Sequence, residues 1–177
     1  MKKLFLSIAL VIGLVSASSV AFSQEGRFSV GAELAIPMGD FGDAVGIGFG
    51  GSLRYEAPVG DNLGITGTAG YLSFSGKNGG ESTYMIPVQA GLKYYFTEQQ
   101  MGFYGHVMAG LHFYKSYEID LVNFTIEETT TSAFSYAPEI GYHLDNIDFG
   151  LRYQFVSTEG STTSYLGLRV AYVFGSN

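Results

Sequence analysis

The sequence predicts an all-β protein, an eight-stranded antiparallel up-and-down transmembrane β-barrel. Three observations predict it: eight segments alternate between apolar and polar residues, the connections between them alternate in length, and the charged residues share one side of the alternation. Side chains of a strand point alternately to its two faces, so a strand alternates in this way when its faces meet two different environments. The remaining question is which face meets lipid.

The first 23 residues read as a cleaved secretory signal peptide. Lys2 and Lys3 precede the apolar run LFLSIALVIGLV, and small residues follow before the expected cleavage after Ser23. The run is too short to cross a bilayer as an anchor. We therefore expect one mature domain, a β-barrel spanning residues 24–177.

Composition excludes several classes of function. Without Lys2 and Lys3, seven of the nine basic residues remain against 16 acidic ones, a net charge of about −9. Nucleic acid is an unsuitable partner for such a chain, because phosphate binding needs the opposite sign. The chain has no cysteine, which excludes disulfides and thiolate metal sites. No metal or cofactor is expected.

The alternating segments have lengths that suit a membrane. In "IDFGLRYQF", residues 147–155, Ile147 and every second residue after it are apolar, whereas Arg152 lies on the other parity. Segments of about ten residues cross a bilayer core when tilted by about 40°, whereas strands of soluble proteins average about five or six. The eight predicted strands cover approximately 28–36, 47–57, 63–74, 84–96, 103–113, 134–144, 147–155 and 166–174.

The connections are expected to lie on two different sides of the membrane. A chain inserted from the periplasm should place its first, third, fifth and seventh connections outside, and these should be the longer ones. The longest is 117–131, which is acidic and also carries apolar residues. It predicts a β-hairpin extension or a surface that binds an extracellular partner.

The charged residues decide which face of the strands meets lipid. One charge on the lipid face at the bilayer centre costs about 2–4 kcal/mol, so charges that share a parity indicate a polar lumen. Eight strands enclose just enough space for side chains. We therefore predict a plugged lumen with an ionic network, acting as structural filler or as a gate. Its expected members are Glu33, Arg54, Glu56, Lys93, Glu139, Arg152 and Arg169.

Four of these charges are predicted to form one layer. Glu139, Arg152, Arg169 and Glu33 lie at similar heights on strands six, seven, eight and one, which become neighbours when the barrel closes. Their signs run minus, plus, plus, minus. Because buried charges persist only when they are paired, we expect a hydrogen-bonded layer in the middle of the lumen.

Residues 26–174 resemble the small eight-stranded outer-membrane barrels of the OmpA transmembrane domain and OmpX type. Segment 168–174, with alternate hydrophobic residues and a final aromatic, looks like the signal that the barrel-assembly machinery reads in that family. The resemblance implies a monomer in the bacterial outer membrane, with the lipid bilayer and the assembly machinery as partners. That family also contains an internal charged network.

The function predicted from these features is structural or a surface interaction such as adhesion, and not an enzymatic one. Three alternatives remain open: a lipid-modifying outer-membrane enzyme, a narrow porin-like ion channel, and a soluble lipocalin-like carrier. The enzyme would use His112 near the outer rim with Ser116 and Glu118. The carrier would need a polar outer face and an apolar lumen. All three histidines, His106, His112 and His143, lie on the inward parity and are predicted to fill the lumen.

Pro87 and Pro138 interrupt two predicted strands. Proline has no N–H to give to a strand ladder, so each leaves one acceptor without its donor. A bulge or a local edge is expected at each position.

Overall fold

The computed structural model describes residues 26–77, 82–97, 100–120, 125–158 and 160–175. For residues 115–130 it describes the backbone only, where it describes them at all. The strands form one closed barrel. Each strand pairs antiparallel with its neighbours in the chain, and the last pairs with the first. The predicted fold class is confirmed. The elements are β1 (Arg27–Met38), α1 (Gly39–Ala44), β2 (Val45–Pro58), β3 (Leu63–Gly76), β4 (Thr83–Tyr95), β5 (Gly102–Asp120), β6 (Thr125–Leu144), β7 (Ile147–Thr158) and β8 (Ser161–Phe174).

The barrel closes between β1 and β8. Their pairing runs from Phe28↔Phe174 to Met38↔Ser164. Closure gives every strand a partner on both sides, which satisfies backbone groups where no water is available. In the described residues, no helix combines the length and the apolar character needed to span a bilayer.

The two faces of the wall have opposite chemistry. Large apolar side chains point outward, with Phe28 60% and Leu53 59% exposed, whereas Arg54 between Leu53 and Tyr55 is 2% exposed. Alternation of this kind continues along the other strands. The lipocalin-like alternative required a polar outer face and is therefore wrong.

Short turns join the strands at one end of the barrel, here called the turn end. They cover 59–62, 96–101 and 145–146, and Asp145 adopts a φ of 48°, which fits a tight hairpin. The opposite end, the loop end, carries α1 and the longest strands. Most of the predicted 117–131 loop is strand, since β5 and β6 stay paired out to Asp120↔Thr125. Residues 121–124 lie outside the described part.

The expectation that every connection at the loop end is long is wrong at the seventh connection. β7 and β8 stay paired out to Thr158↔Ser161, so only two residues separate the paired strands there. Residues predicted as loop from their polar composition continue the strands instead, because hydroxyl-bearing residues suit a strand that has left the hydrocarbon.

Both prolines interrupt the ladder locally, and neither produces a bulge. Between β3 and β4 the pairs pass from Ala69↔Val88 to Leu72↔Met85, and the register is the same on both sides. At Pro138, pairing between β6 and β7 is interrupted in the same way. The predicted local edge is correct, while the register shift of this barrel lies in β2, between Val45 and Gly48.

The lumen divides into an ionic half at the turn end and an apolar half at the loop end. The expectation of a polar interior is therefore wrong for the loop end, because inward positions there carry large apolar side chains. Phe41 of α1 packs on Phe74 with ring centroids 5.2 Å apart, which covers this half from above. The buried cluster comprises Ala35, Val45, Leu72, Phe74, Met85, Ala133, Val156 and Tyr165.

Candidate functional site in the barrel lumen

All seven charged residues predicted for the lumen lie inside the barrel. Each is at most 6% exposed, because each occupies an inward position in the alternation of its strand. They are joined by further charged and polar residues, described here from the turn end upward. Arg27 and Asp148 are two further buried charges, outside the predicted set.

Glu56 organises the level nearest the turn end. Its carboxylate lies 2.7 Å from the guanidinium of Arg27 and 3.3 Å from the ammonium of Lys93. The hydroxyl of Tyr95 donates to the same carboxylate at 2.9 Å. Arg27 is the first residue of β1, and its inward parity with Ser29 and Glu33 was the signal that would have identified it.

Gln100 closes the barrel at the turn end. Its side chain accepts from Arg27 at 2.5 Å and donates to the carbonyl of Gly60 at 2.8 Å. Its own carbonyl lies 3.1 Å from Nδ1 of His143. These contacts hold Gln100 at a φ of 52°, a left-handed conformation that costs energy for a residue other than glycine. A turn predicted only as a connection therefore forms the floor of the lumen.

Asp148 joins two cations at the next level. Its carboxylate is 2.7 Å from Lys93 and 3.2 Å from Arg169, and it accepts from the hydroxyl of Tyr104 at 3.0 Å. The ammonium of Lys93 also lies 3.9 Å from the centre of the Tyr104 ring, close enough for a cation–π contact. Asp148 shares the parity of Arg152, and this was the signal that would have identified it.

Glu139 pairs with Arg54 from the opposite wall. Two guanidinium nitrogens of Arg54 donate to its two oxygens at 2.9 and 3.1 Å, the bidentate geometry that strengthens such pairs. Nδ1 of His106 lies 3.0 Å from the same carboxylate. Nε2 of His106 lies 2.8 Å from the hydroxyl of Thr66. The cross-strand neighbour of Glu139 is Arg152, yet its bidentate partner comes from β2.

Glu33 completes the upper level of charge. It lies 2.9 Å from Arg152 and 3.6 Å from Arg169, and the hydroxyl of Ser52 donates to it at 2.6 Å. The predicted layer of Glu139, Arg152, Arg169 and Glu33 is thus correct for three members. Glu139 is the exception, because the lumen is narrow enough for side chains to reach across it as well as sideways.

Glycines on the inner wall make room for the two upper arginines. A Cβ atom on Gly31 would lie 2.9 Å from Nε of Arg169, and one on Gly167 would lie 3.0 Å from Nε of Arg152. Real side chains do not approach that closely without displacing a neighbour. The glycines on β1 and β8 are therefore part of the arrangement that holds the guanidinium groups.

The three histidines are all buried in the lumen, as predicted. His112 contacts the hydroxyl of Tyr165 at 3.1 Å and is 0% exposed, beneath the apolar cluster. The side chains of Ser116 and Glu118 lie outside the described part. Within the described residues, no group of three His, Asp or Glu residues is arranged to hold a metal ion.

The buried charges form a salt-bridge network around a small cavity. Glu33, Ser52, Gln89 and Arg152 border a cavity of about 10 Å³, room for about one water molecule. Five cations, Arg27, Arg54, Lys93, Arg152 and Arg169, share this half with four carboxylates. Breaking one buried pair leaves an uncompensated charge, so the arrangement resists opening.

A family model for the "Outer membrane protein beta-barrel domain" matches residues 7–174. The chain belongs to this family. Its location is the bacterial outer membrane, and the lipid bilayer is its partner. No match was found among curated proteins. The loop end is accordingly the extracellular end and the turn end the periplasmic one, as in other barrels of this membrane.

Solved structures support the same fold. The N-terminal β-barrel domain of Pseudomonas aeruginosa OprF is 14% identical with a TM-score of 0.59, over 85% of this chain and 100% of that one. Ail, the attachment invasion locus protein of Yersinia pestis, is 14% identical with a TM-score of 0.60, over 84% and 97%. Neisserial surface protein A is 17% identical with a TM-score of 0.53, over 84% and 97%. At such identities the likeness concerns the fold alone.

Proposed function

We propose that this protein is a surface-interaction protein of the outer membrane, in which a charge-plugged barrel anchors an extracellular ribbon formed by β5 and β6. One observation carries the proposal. β5 and β6 pair with each other out to Asp120↔Thr125, whereas pairing with their outer neighbours ends at Tyr84↔Lys115 and Phe134↔Ser157. Within the described residues, neither edge of the ribbon has a strand partner beyond these pairs, so the ribbon presents two open edges.

An open strand edge binds a partner by adding another strand. Unpaired N–H and C=O groups along such an edge pair with any extended segment that reaches them. The sequence of the ribbon, residues 116–130, contains Glu118, Asp120, Glu127 and Glu128 and no lysine or arginine. This charge favours a partner with a basic extended segment.

The filled lumen supports an anchoring role in preference to transport. The ionic half is closed below by Gln100, and the apolar cluster closes the other half under Phe41. A narrow ion channel would require the paired charges and the apolar cluster to part together. We infer that the barrel does not conduct ions in its resting state.

Shortening the ribbon tests the surface interaction. Residues 116–130 are replaced by an Asn-Gly turn in a non-adherent host, and binding of intact cells to immobilised extracellular-matrix proteins is measured. The wild-type protein should confer binding, and the shortened variant should lose it. The matched control shortens another connection at the loop end, 77–82. Binding that survives loss of the ribbon would refute the proposal.

Planar-bilayer recordings test the plugged lumen. The wild-type barrel should insert without stepwise conductance, whereas Glu33→Ala together with Phe74→Ala should produce it by opening both halves. Regular conductance steps from the wild-type protein would favour the channel alternative instead.

The lipid-modifying alternative is disfavoured by the placement of its histidine. His112 is fully buried and is bonded to Tyr165, so it faces neither lipid nor the extracellular solvent. Its test is the lipid A profile of a host expressing the protein or its His112→Ala variant. We expect the same lipid A profile from the host without the protein, the host with the wild-type protein and the host with the variant.

A further inference from the structure

The outer wall of the barrel contains a gap in the ladder between β6 and β7. Pairing runs to Tyr136↔Phe155 and resumes at Glu139↔Arg152, so two positions on each strand lie unpaired between them. Pro138 lies in this gap. It has no N–H to donate, and its ring prevents a close approach of the next strand.

A side chain from the lumen stabilises the gap. Nε2 of Gln154 donates to the carbonyl of Tyr136 at 3.1 Å and to that of Phe155 at 3.2 Å. The side-chain amide of Gln154 on β7 thus links its strand to β6 beside the gap. Since pairing keeps one register on both sides, the gap is a fixed element of the wall.

The gap opens outward into a groove of about 220 Å³. Its surface is apolar, while the buried charges Glu139 and Arg152 lie at its inner side. Ile140 stands at its rim, 65% exposed toward the membrane. The remaining lining residues are Pro138, Leu151, Tyr153 and Leu166.

An aromatic quartet lies directly on the extracellular side of this groove. Tyr136 stacks on Phe155 with ring centroids 4.8 Å apart, Tyr153 lies 4.8 Å from Phe155, and Phe134 lies 6.4 Å from Tyr136. Aromatic residues of membrane proteins collect at the level of lipid headgroups. Tyr153 belongs to both the quartet and the groove lining, so the two form one continuous surface on the outer side of β6 and β7.

We propose that this β6–β7 face binds one lipid of the outer leaflet, with an acyl chain in the groove and the interfacial part of the lipid against the quartet. Within a bilayer the attraction comes from van der Waals packing, because surrounding lipid is as apolar as the groove. An unfilled groove loses those contacts on one side. A flexible chain of methylene groups, which the bilayer supplies at this depth, fills it.

Photo-crosslinking tests this site. The protein is reconstituted in nanodiscs that contain phosphatidylethanolamine with a diazirine in the middle of one acyl chain, and adducts are located by peptide mass spectrometry. Adducts should concentrate at the groove residues Pro138, Ile140, Leu151, Tyr153 and Leu166. Leu166→Phe, which fills the groove, should reduce these adducts about fivefold, equivalent to about 1 kcal/mol.

The matched control is Leu53→Phe on the lipid-facing side of β2, which should leave the adducts at β6 and β7 unchanged. Heat-modifiable migration on gels confirms that each variant is folded. Adducts spread evenly around the barrel, or kept in full by Leu166→Phe, would overturn the proposal. Chain-to-chain links at the groove in place of lipid adducts would assign it to a second copy instead. None of these outcomes depends on the extracellular ribbon.

Discussion

Arg54 and Glu139 span the lumen from opposite walls. They are 85 residues apart in the chain, and their two hydrogen bonds measure 2.9 and 3.1 Å. β2 and β6 have three strands between them in either direction around the barrel, so only closure brings these side chains together. The pair ties two walls that share no backbone ladder.

The first prediction concerns this pair. Glu139→Gln should lower the free energy of unfolding by about 3–5 kcal/mol, because it leaves the buried Arg54 without its counter-charge. Combining Arg54→Met with Glu139→Leu should recover most of the loss, since an apolar pair needs no compensation. Urea unfolding in lipid vesicles measures both. The control is Asp145→Asn, which removes an exposed charge and should change the free energy of unfolding by about 0.5 kcal/mol or less. If Glu139→Gln lowered the free energy of unfolding by as little as this control, the assigned pairing would be contradicted.

The second prediction concerns the apolar half of the lumen. Leu72 is 1% exposed inside the cluster, whereas Leu53 is 59% exposed to lipid. Leu72→Ala should cost about 2–5 kcal/mol because it leaves a cavity. Leu53→Ala should cost less, because lipid fills the space. Equal costs in the same unfolding experiment would show that the cluster is not tightly packed.

The third prediction concerns the orientation of the wall, and the absence of cysteine makes it simple to test. A fluorophore on Leu151→Cys should be quenched by lipids brominated along their acyl chains. Ser135→Cys, at a fully buried inward position, should resist a water-soluble thiol reagent until the protein is unfolded. Quenching at position 151 by aqueous iodide, or rapid labelling at position 135, would reverse the assignment of faces.

The fourth prediction concerns assembly in the cell. Phe174 pairs with Phe28 at the closure of the barrel and ends the segment proposed as the assembly signal. Phe174→Ser should still fold in detergent, because the remaining β1–β8 ladder is intact, but its yield in the outer membrane should fall. Folded yields in detergent and in membranes are compared on gels. An equal loss in both would assign Phe174 to stability alone and remove the assembly role.

The alternation along each strand predicted which charged residues face the lumen. Arg152 and Glu139 were placed correctly inside because residues two apart share a face and a charge facing hydrocarbon is costly. Asp148 and Arg27 follow the same rule and lie near the ends of their strands. Parity specifies the face of a residue and not its partner, so Glu139 was expected in a layer with its neighbours.

The apolar cluster could not be predicted from the sequence, for a related reason. Leu72 and Phe74 lie on the inward parity of β3, yet in the sequence they read as weakening of the alternation. Only the closed barrel shows that inward residues of several strands meet under Phe41. The pairing of β5 with β6 beyond the barrel likewise depends on two distant segments.

The sequence by itself determined the number of strands, their inner and outer faces and the membrane that surrounds them, because side-chain alternation and charge segregation are local properties of the chain. The tertiary structure decided which charges pair, where the lumen changes from ionic to apolar, and where the wall opens beside Pro138. Those features depend on distances across a closed barrel, which residues far apart in the chain acquire only when the last strand meets the first.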